Sequence, residues 1–228
     1  MLIIVNKIIS KEAVKKLSVL GEVLLFETKE IVEDYLSGHV DLFLVRHGNN
    51  IIYAPNTPDY VTKKLRTTQY QLVCGIHPVE KLFPSCAAYN VAASSNFLIH
   101  NFKHTDPVLM DNLPELKQIN VKQSMSRCST LILNEDAVIT SDAGTVKACE
   151  KYGLETLFVD PRDIFLPGQK YGLFGGCCGI YENVVVINGS LDNKTGGRNL
   201  REFIEARGST VVELTSGELM DVGSILIV

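Results

Sequence analysis

No apolar stretch in these 228 residues approaches the roughly 18 needed to cross a bilayer, so no membrane span is expected. Basic charge is also scarce. Lys and Arg number 22 against 26 Asp and Glu, leaving a net charge of −4 and a pI near 5.8. A chain with no basic excess lacks the electrostatic footprint of a nucleic-acid binder. No Cys-x-x-Cys spacing occurs, and the adjacent Cys177-Cys178 make a poor ligand pair, so neither a metal site nor a cofactor is expected. The opening "MLIIVNKIIS" has no basic leader and no small-residue cleavage site. Its six cysteines therefore read as free thiols of a cytoplasmic protein. Low-complexity segments and linkers are missing too, which points to one domain over 1–228.

What is present is a recurring hairpin. "DLFLVRHGNNIIYAPN", "AYNVAASSNFLIHN", "CSTLILNEDAVITS" and "GCCGIYENVVVIN" each place a polar break between two apolar runs. Each second run meets a polar stop, at Asn56, Asn101, Ser141 and Asn188. A helical stretch follows each. "TPDYVTKKLR" and "TDPVLMDNL" begin with a cap residue and proline, "DAGTVKACEKYG" begins at Asp142 and ends at Gly153, and "GGRNLREFIEARG" ends at Gly208. A third apolar run closes each unit, giving strand, hairpin, strand, helix, strand.

The chain ends supply the fifth unit. "MLIIVN" is a second hairpin strand stopped at Asn6, followed by the helix "SKEAVKKLSVLG" and the strand "EVLLFE". Its missing first strand is "GSILIV", residues 223–228. Five units of about 45 residues predict a radial repeat. Pairing of the terminal strands would close it and remove exposed sheet edges. The predicted units are 223–228 plus 1–38, then 39–80, 84–123, 128–160 and 171–215.

Five ββαβ units with pseudo-five-fold symmetry and termini joined in one unit resemble the pentein fold, a five-bladed α/β propeller. The segments carrying the likeness are "YNVAASSNFLIHN", "CSTLILNEDAVITSDAGTVKACEKYG", "YGLFGGCCGIYENVVVINGSLD" and "DVGSILIV". The chain resembles most an uncharacterised bacterial family with that fold. Penteins include guanidino-group-modifying enzymes, namely arginine deiminases, amidinotransferases and dimethylarginine hydrolases, and a ribosome anti-association factor that is not an enzyme. The resemblance implies a site at the hub, where inner strand ends supply a cysteine nucleophile, a histidine and acids. The family's cysteine opens the first strand of the last unit. Gly223 stands there in this chain.

Two functions follow. The first is a non-catalytic or divergent pentein that binds a small ligand at the hub or a protein partner. The second is a hydrolase-like or amidinotransferase-like enzyme acting on a guanidino or amidino compound through Cys128. Cys128-Ser129 has the nucleophile's form, although in an earlier unit, and a nearby acid would orient a guanidinium for thiolate attack. Arg127 beside it would lower the thiol pKa. The competing reading is that Cys128 is a small buried apolar residue at a crowded axis. Asp41, Asn90, Ser129, Gly176, Cys177, Asp221 and Ser224 lie at strand starts and are the candidate binding residues. Acids among them favour a small cationic, guanidino-like ligand. Of the five histidines none has a spacing that marks it as a base, and His47 falls in a hairpin turn where exposure is expected.

Overall fold

The computed structural model describes residues 1–228. It is a mixed α/β fold of small separate sheets. The order is β1 (Leu2–Asn6), α1 (Lys11–Leu20), β2 (Glu22–Phe26), β3 (Leu44–His47), β4 (Asn50–Tyr53), α2 (Asp59–Leu65), β5 (Gln71–Cys74), β6 (Ala92–Ala93), β7 (Phe97–His100), α3 (Pro107–Asn112) and β8 (Lys117–Asn120). Then come α4 (Ser126–Ser129), β9 (Thr130–Ile132), β10 (Ala137–Thr140), α5 (Ala143–Lys151), β11 (Glu155–Phe158), β12 (Ile164–Phe165), β13 (Cys178–Tyr181), β14 (Val184–Ile187), α6 (Gly197–Glu205), β15 (Thr210–Glu213), β16 (Leu219–Met220) and β17 (Ile225–Ile227).

Five sheets share one design: an antiparallel hairpin with a parallel third strand beyond a helix. They run β17-β1-β2, β3-β4-β5, β6-β7-β8, β9-β10-β11 and β13-β14-β15, and no continuous sheet closes on itself. A parallel pair of β12 and β16 stands apart. The terminal strands pair antiparallel as the sequence predicts, with Ile3 opposite Ile227 and Val5 opposite Ile225. A backbone bond from Leu2 N to Val228 O extends that pairing. β13 lies against β17, and β3 and β9 lie against β6.

Burial follows strand position. The middle strand of every sheet is an apolar run with its core fully buried, such as "LIIVN" in β1 and "AVIT" in β10. A strand covered on both faces reads as a continuous apolar run. The third strands are more open: in β5 Gln71 and Cys74 are exposed around a half-buried pair, and in β11 Glu155 and Phe158 are. Truncating a middle-strand residue such as the fully buried Ile139 is expected to cost about 2–5 kcal/mol.

The helix starts come from local chemistry. Ser10, Asp106 and Asp142 cap α1, α3 and α5, each side-chain oxygen accepting a backbone N–H bond of the first turn. Gly153 and Gly208 turn the chain after α5 and α6 at φ of 79° and 76°, a region glycine enters without strain. Pro58 sits one position earlier than predicted, outside α2. The larger departure lies at the strand starts. In four units a short helical turn precedes the first strand: Val40–Leu42, Ser85–Ala87, α4 and Gly175–Cys177. These turns set the candidate residues at the inner end of the hairpins. No helix is long and apolar enough to cross a membrane.

Candidate functional site

A cavity of about 520 Å³ runs between the first strands of all five sheets. Its wall includes Leu44, Ala93, Ile132, Ile180 and Ile225, one from each. One end carries hairpin-turn residues, among them Gly48, Ser94, Asn134, Glu135 and Glu182. The other carries Asp41, Ser224 and Arg127. An apolar wall with few converging polar groups is the usual form of a small-molecule site.

Behind that inner end lies a buried polar cluster. The Cys128 thiol donates to Asp41 Oδ2 at 3.0 Å, and the Asn90 side-chain amide donates to Cys128 Sγ at 3.3 Å. His39 Nδ1 is 3.8 Å from the same sulfur. Ser224 Oγ also donates to Asp41 Oδ2. Asn90 fixes the cluster's frame: its Oδ1 accepts from the backbone N–H groups of Arg127 and Cys128 at 2.8 and 3.1 Å. His39, Asp41, Asn90 and Cys128 are all buried, and His39 Nε2 and Asp41 Oδ1 have no hydrogen-bond partner.

The electrostatics oppose a reactive thiol. Burial pushes the Cys128 thiol well above its usual range, and the Asp41 and Asp221 carboxylates add to that. Arg127 does not offset it, contrary to the sequence expectation. Its guanidinium is spent on backbone carbonyls, donating to Gly175 O and Cys178 O at 2.9 Å each. Burial also lowers the His39 pKa, only partly countered by Asp41, so the imidazole is neutral. Asp221 is pushed up to about 6 by burial, although the Gly223 and Leu173 N–H groups donate to it at 2.9 and 2.8 Å.

The remaining candidates divide. Gly176 receives the Val222 and Ser224 N–H bonds on its carbonyl, and Asp221 Oδ1 occupies the space where a side chain would begin. Asp221 therefore holds the inner loop together and does not line the cavity. Ser129 turns back to Ser126 O at 3.1 Å, and Cys177 packs in an apolar cluster beneath β13 and α6. Neither faces the cavity. His47 is half-buried, not exposed, because its ring lies along the cavity wall. His100 and His104 stand four residues apart, but His100 spends both nitrogens on Thr105 Oγ1 at 2.6 Å and Ser124 O at 2.8 Å.

No side chain fits at 223, where the pentein resemblance implies a nucleophile. Gly223 adopts φ 69°, and a Cβ there would fall 2.2 Å from His39 Cγ and 2.3 Å from His39 Cα. The histidine occupies the space that a side chain at 223 would need. His39 is the member that sequence reasoning missed. The available signal was its place two residues before Asp41.

No curated protein matches this sequence. Among solved structures, a C. jejuni agmatine deiminase has a TM-score of 0.57 at 10% identity, covering 96% of this chain and 89% of its own. A Pseudomonas aeruginosa DDAH, solved with a cysteine replaced by serine and bound to citrulline, gives 0.55 at 10% identity over 93% and 91%. An amidinotransferase of saxitoxin biosynthesis from Microseira wollei gives 0.52 at 10% identity over 93% and 87%. All are penteins, and the chain shares their fold. Residues 4–226 match the family of unknown function DUF6873, and the chain belongs to that family.

Proposed function

We propose that the five sheets are blades of a closed α/β propeller, and that its hub binds a small cationic ligand of the guanidino or amidino class without turning it over. Pairing of β1 with β17 and the contacts of β13 with β17 and of β6 with β3 and β9 support the ring. The blades would be 223–228 plus 1–38, 39–80, 84–123, 128–160 and 171–215, in one domain. Six free thiols fit a reducing compartment, the cytoplasm of a bacterial cell.

One observation carries the ligand reading. Asp41 is a carboxylate only 4% exposed at the floor of the cavity, its side-chain donors are a thiol and a hydroxyl, and its Oδ1 has no partner. A buried carboxylate without a cation is costly. A guanidinium or amidinium supplies both the charge and paired N–H donors. The citrulline found in DDAH is a ligand of related shape in a protein of the same fold.

Three features speak against turnover. Cys128 sits behind Asp41 and off the cavity wall, its thiol is held protonated, and Gly223, with no room for a side chain, stands where the pentein resemblance implies a nucleophile. A second reading keeps Cys128 as nucleophile of a hydrolase or amidinotransferase. The observation favouring it is that a cysteine, a histidine and an acid meet within 4.8 Å.

Calorimetric titration with agmatine, arginine and, as an anionic control, glutamate separates these. Binding of a guanidino compound to the parent, its loss in Asp41→Asn, and no release of ammonia or urea support the binding reading. Product release abolished by Cys128→Ala would replace it with the catalytic one. No binding of either cation would overturn both.

A further inference from the structure

The donor set behind the cavity floor suits more than an organic cation. His39 contributes an imidazole from the turn before β3, Asp41 a carboxylate two residues later, and Cys128 a thiol from α4. One ligand atom from each lies within 4.8 Å of the others, and all three residues are buried. Nothing in the linear spacing brings them together, since Cys128 is 87 residues beyond Asp41.

The distances suit a small four-coordinate ion. Metal–ligand bonds of about 2.0–2.3 Å at tetrahedral angles put donor atoms roughly 3.3–3.8 Å apart. Here Sγ is 3.8 Å from His39 Nδ1, within that range, and 3.0 Å from Asp41 Oδ2, a hydrogen-bond distance that must lengthen slightly as the S–H donor is replaced by the ion. Two further observations point to a ligand. Asp41 Oδ1 is buried without a partner, so one oxygen of the carboxylate is uncommitted beside the thiol and the imidazole. The charge also balances: a divalent ion with one thiolate and one carboxylate leaves a neutral buried centre.

We propose that His39, Asp41 and Cys128 form a binding site for a divalent transition-metal ion of the zinc class. Sulfur and imidazole donors select such an ion over magnesium or calcium. Binding proceeds as exchange of one proton for one ion: the Cys128 S–H bond breaks, the proton leaves to solvent, and the sulfur lone pair forms the metal bond. Three protein donors leave one position for water or an added ligand.

The test uses cobalt(II) and zinc(II) on the full chain with no organic ligand present. One equivalent of cobalt is expected to give tetrahedral d–d bands and a thiolate-to-cobalt charge-transfer band, with about one proton released per ion at neutral pH. Zinc should displace the cobalt spectrum, and Cys128→Ser should abolish the charge-transfer band while remaining folded by circular dichroism. A spectrum that persists in Cys128→Ser would place the metal at another thiol, such as exposed Cys74, and overturn the proposal. So would the absence of any spectrum from the parent. Should Cys128→Ser fail to fold, His39→Gln on the same readout decides: retention of the tetrahedral bands overturns the site. The inference shares Asp41 with the proposed function but does not depend on it. Metal binding without agmatine binding sinks the organic-ligand reading alone, and agmatine binding without metal binding sinks this one alone.

Discussion

Placing a cysteine at 223, where the pentein resemblance implies a nucleophile, by Gly223→Cys should produce a destabilised protein without activity. The residue holds φ 69°, and a left-handed conformation costs a non-glycine residue about 1–2 kcal/mol. Its Cβ would fall 2.2 Å from His39 Cγ and 2.3 Å from His39 Cα, so backbone as well as ring must move. Forcing extra atoms into a packed core typically costs a further ~1–3 kcal/mol. The sum, about 2–5 kcal/mol, corresponds to a melting temperature lower by roughly 4–20 °C at ~2–4 °C per kcal/mol for a chain of this size. Urea denaturation of the parent, Gly223→Cys and the Gly223→Cys/His39→Gly double variant would measure it. The double variant should recover only the share due to the imidazole, because His39 Cα remains in the way. A single variant within about 0.5 kcal/mol of the parent, or one that releases ammonia from agmatine, would refute the steric reasoning.

Deleting residues 223–228 removes β17, the partner of β1, and is expected to abolish cooperative unfolding by calorimetry, since the middle strand of the first sheet would lose one edge. In native protein a chromogenic disulfide reagent should modify Cys74 quickly and the other five thiols only after unfolding, because Cys74 is the exposed one. A fast-reacting Cys128 would contradict its burial. His100 is fully buried and its pKa is pushed down to about 4 by desolvation, so the unfolded chain takes up a proton first as pH falls from 6.5. Stability is therefore present above pH 6.5 and is lost progressively toward pH 4, by up to about 3 kcal/mol from this residue. His100→Gln should be less stable at pH 7 but flatter across that window in urea midpoints.

Much of the fold was legible because its determinants are local. Apolar runs broken by Gly48-Asn49 or Glu182-Asn183, caps at Asp106 and Asp142, and glycine stops at 153 and 208 act within a few residues. Even the terminal pairing was readable, since "GSILIV" was a strand without a partner and "MLIIVN" lacked one. The site was less legible. Asp41, Asn90 and Cys128 stood out as strand-start residues. Their interaction depends on short helical turns at Val40–Leu42 and Ser126–Ser129 that the apolar pattern does not encode. The turn Ser126–Ser129 directs Ser129 away from the cavity, Gly175–Cys177 does the same for Cys177, and Val40–Leu42 sets His39 beside Asp41 in the buried cluster. Arg127 was misread for the same reason: adjacency in sequence put it beside Cys128, but its side chain reaches across to carbonyls of the next unit.

The claim that the Asp41 floor receives a cation is tested most directly by a crystal structure of the parent grown with millimolar agmatine. A planar guanidinium paired with Asp41 inside the central cavity, with Cys128 unmodified behind it, is the result expected here. Agmatine bound elsewhere, or a cavity holding only water while Asp41 keeps its bonds to Cys128 and Ser224, would contradict it.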